Sequence, residues 1–361
     1  MRLGLLKYKF KRYQVIGLCL FVFVALFHNM ICHDNNSNAI NQARHILPAL
    51  VPYSSTSLDK LNRNVGPFDT QDVSSLYYRH WLGTDTLGKD VLAGLIDGSY
   101  IALKVGFWTA LFSLIVGLFL GYLSGYFGDN EIKIRRAYFY AALLVSLVFI
   151  FYAYYSSVPV RFILLAACPL LFNLAYAKTD IIKNKTIVIP MDLIVMKVLE
   201  IIRAIPNVFV LLVLLAMFKT ASFTNIILVI SLVSWPVITR HMRAEILKLK
   251  EEQFILSAKA IGQKNWRIFK NHILPLSMSP IVILVAFGFS SAVLVESTLS
   301  FLGIGVPVDQ VTWGSMLREA RYNFSAWWLA VFPGLMIYFV IFLFNSIGDT
   351  ISDYMQKART I

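Results

Sequence analysis

Apolar residues in this chain gather into long runs almost free of Asp, Glu, Lys and Arg, with short polar segments between them. A helix needs about 20 apolar residues to cross about 30 Å of hydrocarbon, and only helices and closed barrels satisfy their own backbone there. Eight runs qualify as candidate spans: roughly 13–32, 101–127, 137–155, 161–177, 204–218, 220–239, 276–295 and 329–347. Those at 161–177 and 204–218 are short and need tilt or neighbouring apolar residues to complete a crossing. The pattern predicts an all-α polytopic membrane protein and excludes a soluble core or a single-span anchor.

The polar positions predict the connections. Residues 33–80 are rich in Asn, Ser and turn formers and read either as a solvated tether or as a packed external loop. In HWLGTDTLGKDVLAGLIDGS, two glycine turns precede an apolar stretch; Thr84 or Asp85 can cap one helix start and Asp90 the next. Gly117, Gly121 and Gly125 recur every four residues, with Gly128 three further on, all read on one helix face, which lets a neighbouring backbone come close. The runs at 137–155 and 161–177 form a hairpin around SSVPVR, an even pair that leaves the downstream topology unchanged. MDLIVMKVLEIIRAIP at 191–206 reads as an interfacial helix with Lys197, Glu200 and Arg203 along one side, kinked where Pro206 enters the membrane.

Composition agrees: 58% of the 361 residues are hydrophobic, against roughly 45–50% in a soluble domain. The formal charge of +13 suggests nucleic acid only if the chain is taken as soluble. In a membrane protein it reports orientation. With the amino terminus in the cytoplasm, segments 1–12, 128–136, 178–203, 240–275 and 348–361 hold 23 of the 33 Lys and Arg, as the positive-inside rule requires. Both termini are then cytoplasmic, and no nucleic-acid partner is expected. Cys19, Cys32 and Cys168 are scattered, giving neither a disulfide framework nor a metal-ligand spacing, so no metal or cofactor is expected.

One cytoplasmic segment stands out, SAKAIGQKNWRIFKNHILP at 257–275, with four Lys or Arg and no acid. Phe254, Ser257, Ala258 and Ile261 fall on one helical face; Gly262 ends that helix. Asn265 can cap a second helix carrying Trp266, Phe269 and Ile273, and Pro275 marks re-entry into the membrane. His272 has no neighbouring ligand and reads as packing or a helix-end charge. A helix–turn–helix outside the bilayer, with small residues at its turn, suits docking into a groove on another protein. A basic amphipathic helix lying on anionic lipid fits the same physics.

A resemblance separates these. The segment resembles the EAA loop of ABC importer permeases, in which alanines, a glycine and I-x-L-P mark the part that docks on the ATPase subunit; Ala258, Gly262, Ile273, Leu274 and Pro275 match. Leu256 replaces the family's leading Glu, and Ser257 its first Ala. Five further stretches are similar to the C-type permease of oligopeptide and dipeptide importers: LGTDTLGKDVL at 82–92, GYLSGYFG at 121–128, Asp192 to Pro206, VLVESTLSFLGIGVPVDQVTWGSML at 293–317, and the closing WWLAVFPGLMI and FNSIGDTISD. The chief departure is 129–190, where family members pass almost directly from one motif to the next.

The resemblance implies a six-span type I ABC importer permease core plus an inserted two-helix hairpin. It divides the chain into 1–32, a cytoplasmic start and first span; 33–100, an external loop with the LGTD-type segment; and 101–361, the permease domain. Within the last lie the insertion 129–190, the ATPase-coupling loop 240–275 and an external loop 297–328. It further implies residence in a bacterial inner membrane and four kinds of partner: a second related permease, two ABC ATPase subunits, an external substrate-binding protein and the lipid bilayer. No G-x-x-x-x-G-K-[ST] loop is present, so ATP hydrolysis is expected in the partners. The coupling residues implied are Ser257, Ala258, Lys259, Gly262, Ile273, Leu274 and Pro275. An ionisable residue at membrane depth is a functional hypothesis, so Glu296, with Trp313, is a candidate for the path or its gate; its bland role is as partner to Arg318 or Arg321. Peptides are the expected cargo, with nickel chelates or peptide antibiotics as alternatives. A membrane-embedded enzyme lacks any paired Asp, His-x-x-x-His or Ser–Lys set in the spans, and a lipid-binding scaffold is the remaining non-transport reading.

Overall fold

The computed structural model describes residues 10–32, 49–130, 133–135, 186–218, 222–304, 307 and 310–359. Almost all the regular structure there is helical. Helix α1 is Arg12–Leu26, followed by a short turn at His28–Ile31. Helix α2 is Val91–Tyr122, prolonged by a π-helical turn at Leu123–Phe127. Then come α3 (Met191–Ala204), α4 (Asn207–Ala216), α5 (Phe223–Leu249), α6 (Gln253–Ala260) and α7 (Asn265–Ile268). A π-helical turn at Phe269–Ile273 leads into α8 (Leu274–Leu302), α9 (Trp313–Ala320) and α10 (Trp328–Arg359).

Four stretches are long and apolar enough to cross a membrane: Val91–Phe127, Phe223–Leu249, Pro280–Leu302 and Trp328–Met355. The expected spans 101–127, 220–239, 276–295 and 329–347 fall on them. The run at 13–32 forms α1 and the turn after it; fifteen helical residues reach only ~22 Å. The run expected to span at 204–218 does not form one long helix. Pro206 has no amide hydrogen and disfavours helix in Ile205, so the chain breaks there and α4 is ten residues long. The expected spans 137–155 and 161–177 lie outside the described residues.

The chain divides into two compact units, one running to Gly121 and resuming at Ile201, the other Tyr122–Glu200. In the second, strand β1 (Lys133–Arg135) pairs antiparallel with β2 (Thr186–Val188), Ile134 opposite Ile187. Ser124 donates a hydrogen bond to the Asp192 carboxylate, and the Leu193 amide donates to Asp129 Oδ1 at 2.9 Å. The points where the expected insertion leaves and rejoins the helices are thereby tied together; its middle, 136–185, lies outside the described residues.

In the first unit α2 comes close to α5, α8 and α9, and glycine makes this possible. A Cβ on Gly117 would sit 2.6 Å from Ile238 Cβ, and one on Gly121 would sit 2.6 Å from Met242 Cβ, so this face of α2 meets α5 at backbone distance. Nearer the start of α2, Gly106 leaves room for the Phe289 ring of α8 and Gly98 for the Trp313 indole, whose Nε1 donates to the Leu95 carbonyl at 2.9 Å. Helix α1 lies along α10. Gln14 Nε2 donates to the Ser346 carbonyl and hydroxyl and to Thr350 Oγ1, each at 2.8 Å, and Phe21 sits edge-on to Phe289 and Phe344, which stack at 3.8 Å.

Residues 49–90 form a packed cap at the opposite end of α2 from its α5 contact. Asp90 caps α2, its Oδ1 accepting from the Ala93 amide at 2.7 Å. Its other oxygen takes His80 Nδ1 at 2.8 Å; His80 Nε2 reaches Asp59 at 3.2 Å, and the fully enclosed imidazole stacks on Tyr53 at 4.2 Å. Thr84 and Asp85 cap no helix, contrary to expectation. Thr84 bonds Asn62 and Val65, and Asp85 Oδ1 closes a turn by accepting from Leu87 and Lys89. Gly88, at φ +88, is required because a Cβ would lie 2.0 Å from the Asp59 carbonyl. Of the two readings of 33–80, packing holds for the described part.

Burial lowers the His80 pKa, but hydrogen bonding and charge from Asp90 and Asp59 outweigh it and hold the ring above its ordinary value. Burial, with Asp85 beside it, pushes Glu319 of α9 up to about 7. Both groups bind protons more tightly folded than unfolded. The His80 contribution is present below its unfolded value of 6.5 and is lost as pH rises through the folded value; Glu319 subtracts stability as it ionises between 4.5 and about 7. The protection factors of the 53–90 amides, corrected for the intrinsic rise of exchange with pH, should therefore fall as pH is raised from the acid side of neutrality, and protection factors that stay constant would refute the linkage. Separately, Gly121→Leu should cost about 1–3 kcal/mol by overpacking, read as a lower unfolding temperature in detergent.

Candidate functional site

A cavity of about 260 Å³ opens among α2, α4, α5 and α8. Its wall is mostly aliphatic, with polar groups from Thr109, Ser113, Asn207, Ser234 and Ser291 and no ionisable side chain. Two of these hydroxyls are spoken for within the helices: Ser113 donates to the Ser231 carbonyl at 3.3 Å and Ser234 to the Ile230 carbonyl at 2.7 Å. Among the described residues the buried Thr109 hydroxyl has no hydrogen-bond partner. Gly288 also lines the cavity, and a Cβ there would meet nothing within 4 Å, so it borders open space. Such a wall can hold or pass a molecule through dispersion and a few neutral hydrogen bonds. Among the described residues, no group of three or more His, Cys, Asp or Glu is placed to hold a metal ion.

Two walls of the cavity, α5 and α8, are joined by the elbow α6–α7. The helix α6 ends as expected. Gly262 adopts φ +77, its amide bonds the Lys259 carbonyl at 3.0 Å, and the Gln263 amide bonds the Ala258 carbonyl at 3.1 Å, a left-handed C-terminal cap. The predicted face of α6 is divided. Ala258 is buried together with Ile255, while Phe254, Ser257 and Ile261 point to solvent, because the inward pair is spaced by three residues along a helix only two turns long. Asn265 is not the cap of α7; Lys264 takes that position without a side-chain bond, and Asn265 is the first helical residue. Ile268, Phe269 and Ile273 are buried and root the elbow, whereas Trp266 is 60% exposed and Ile261 76%. Of the other coupling residues, Lys259 and Leu274 are half-buried, and Pro275 is exposed in the first turn of α8. His272 faces Phe254, ring centres 6.5 Å apart.

Neither Glu296 nor Trp313 is part of the cavity lining, which on α8 reaches Val295. Glu296 is buried and accepts from the Ser300 hydroxyl at 2.6 Å and more weakly from Ser297 at 3.4 Å. No ion pair joins it to Arg318 or Arg321 among the described residues; Arg318 lies against Gly303, and Arg321 over the Phe301 and Tyr322 rings. Trp313 is a wedge between α2 and α8. Sequence reasoning overlooked Thr109 and Gly288. Their signal was faint but present: polar or small residues recurring inside otherwise apolar runs, with Thr109 and Ser113 one turn apart.

Residues 188–360 match the family described as binding-protein-dependent transport system inner membrane component. Among curated proteins, the dipeptide transport system permease protein DppC of Alkalihalophilus pseudofirmus is 30% identical over 278 residues, 77% of this chain and 71% of that protein. The glutathione transport system permease protein GsiD of Pectobacterium atrosepticum is 26% identical over 309 residues, 85% of this chain and 79% of its own length. The DppC of Bacillus subtilis is 25% identical over 279 residues, 77% and 68% of the two chains.

The Gly262 cap yields a graded expectation. Gly262→Ala meets no atom and loses only conformational ease, about 1 kcal/mol, so the elbow survives. Gly262→Pro cannot reach φ +77, and the elbow should become a site of rapid proteolytic cleavage while the spans still insert. Equal cleavage in both variants would show that the cap does not hold the elbow.

Proposed function

We propose a specific role for this chain, which belongs to the peptide-transporter family of ABC importer permeases: its cavity forms part of the passage for a peptide, and its elbow receives the drive. As a permease it works with ATPase and substrate-binding components and hydrolyses no ATP itself. Peptide cargo is supported by the relatives named for dipeptide and glutathione transport. A scaffold without transport does not follow from the family.

The elbow residues Ser257, Ala258, Lys259, Gly262, Ile273, Leu274 and Pro275 form the coupling segment in this reading, facing the cytoplasm with both termini. The observation that carries it is the pair of apolar side chains, Ile261 and Trp266, left in water on either side of a rooted turn. Burying each in a partner groove is worth about 1.5–3 kcal/mol. Two ATPase subunits and a second permease complete the assembly, and a binding protein delivers cargo at the far face. Displacement of the elbow moves α5 and α8 together and changes the width of the cavity between them, a rigid-body switch that needs no catalytic side chain. Glu296 and Trp313 then steady the far end of α8 as a gate support.

Two outcomes test this in the assembled transporter. Trp266→Asp with Ile261→Asp should abolish co-purification of the ATPase while the permease still reaches the membrane; undiminished ATPase binding would remove the docking role. Gly288→Leu adds a side chain at the cavity wall, where a Cβ meets nothing within 4 Å, so uptake of labelled dipeptide should fall by about tenfold or more with assembly intact. Wild-type uptake would place the passage elsewhere.

A further inference from the structure

At the cap end, aromatic side chains continue the exposed apolar surface of α10 beyond the end of the helix. The residues Trp327, Val331, Leu335 and Tyr338 recur every three or four positions and are all exposed, one stripe along a helix that crosses the membrane. Trp327 lies at the mouth of that span, 5.9 Å from the Phe332 ring inside it. On its other side Trp327 stacks on Phe68, a cap residue remote in sequence, with ring centres 6.5 Å apart. Phe68 is 87% exposed and Phe324 is 89% exposed, values out of place for free phenylalanines in water.

The attachment beneath these rings is rigid. Asn323 Nδ2 donates to Asn64 Oδ1 at 2.6 Å, and Trp328 Nε1 donates to the Thr84 carbonyl at 3.0 Å, so the 64–68 loop is held against the 323–328 segment. The local charges suit a headgroup layer. Arg79 donates to the Pro67 carbonyl at 3.1 Å beside Phe68, and Arg321 lies over the Tyr322 ring at 5.0 Å with its Nη2 bonding the Tyr322 hydroxyl. The nearby carboxylate of Asp69 is turned back, accepting from the Gly66 amide at 2.8 Å. Aromatic rings with arginines at the mouth of a span are the side chains that settle at the boundary between acyl chains and phosphates.

We infer that the cap is a second membrane contact of this protein: Phe68, Phe324 and Trp327 enter the bilayer interface on the cap side, with Arg79 and Arg321 at the level of the lipid phosphates. The occupant of this surface is lipid, because the patch is continuous with the exposed stripe of α10. The consequence is mechanical. The cap closes over the start of α2 and is steadied from below by the bilayer, so it holds its position while the opposite end of the bundle is free to move.

The test uses the assembled transporter in nanodiscs of phosphatidylethanolamine and phosphatidylglycerol. With Cys19, Cys32 and Cys168 changed to Ala, Phe68→Cys carries an environment-sensitive fluorophore. Lipids spin-labelled near the headgroup should remove roughly half or more of its emission, and aqueous iodide should remove little. Strong quenching by iodide with none by lipid overturns the proposal, and shielding from both shows a protein partner in place of lipid and overturns it equally. Phe68→Ser with Phe324→Ser should speed exchange of the 62–84 amides in nanodiscs and leave the 253–273 elbow unchanged; unaltered exchange in the cap counts against the anchor.

Discussion

Helices in hydrocarbon gain nothing from hiding apolar surface from one another, because the lipid is as apolar as they are; they adhere where backbones come close. The first unit depends on that constraint at α2. Gly98 and Gly106 admit Trp313 and Phe289 near one end, and Gly117 and Gly121 admit Ile238 and Met242 near the other. Between these two sets of close contacts lie Thr109, Ala110 and Ser113, and there the cavity opens. The hollow is the interval between two places where α2 meets its neighbours closely, so the tight packing and the cavity have one cause.

The same geometry ties the cavity to the elbow. Helix α5 runs from the cavity wall to α6, and α8 runs back from the π-helical turn after α7. The elbow is rooted by Ile255, Ile268, Phe269 and Ile273, all buried, so it cannot swivel freely without dragging the two walls. Its exposed side carries the apolar Ile261 and Trp266 among the polar Lys264, Asn265, Arg267 and Lys270. In the proposed assembly the elbow is therefore both handle and docking face, and no side chain in the cavity has to do chemistry.

The cap shows a different economy. One buried imidazole bridges the carboxylate that caps α2 and the carboxylate of a loop thirty-one residues before it, so His80 links the start of a span to a segment well outside it. Burying a charge is costly unless it is paired and hydrogen-bonded, and here both ring nitrogens are satisfied. The LGTD-type stretch has its turn chemistry for this purpose: Gly88 must be glycine for the loop carrying Asp59 to lie against it.

The chain's alternation of apolar runs and basic loops, read alone, determined the membrane class, the positions of four long spans, the close-packing pair Gly117 and Gly121 on α2, the cap at Asp90, the end of α6 at Gly262 and, by resemblance, the permease family; Gly128, read on the same face, instead lies past the helix at φ +57 with nothing within 4 Å of a Cβ. Each is local, a property of composition or of spacing along one helix, and the family motifs are local strings. Position 206 was legible as a kink but not as a full break, since the cost of proline depends on whether a neighbour restores the lost hydrogen bond. Tertiary structure alone decided which face of α6 is buried, that Glu296 is paired with serines in its own helix turn instead of an arginine, that Thr109 and Gly288 border a cavity, and that His80 meets Asp59. These outcomes depend on partners brought together from distant parts of the chain, and a side chain's burial and bonding are set by what the fold places beside it.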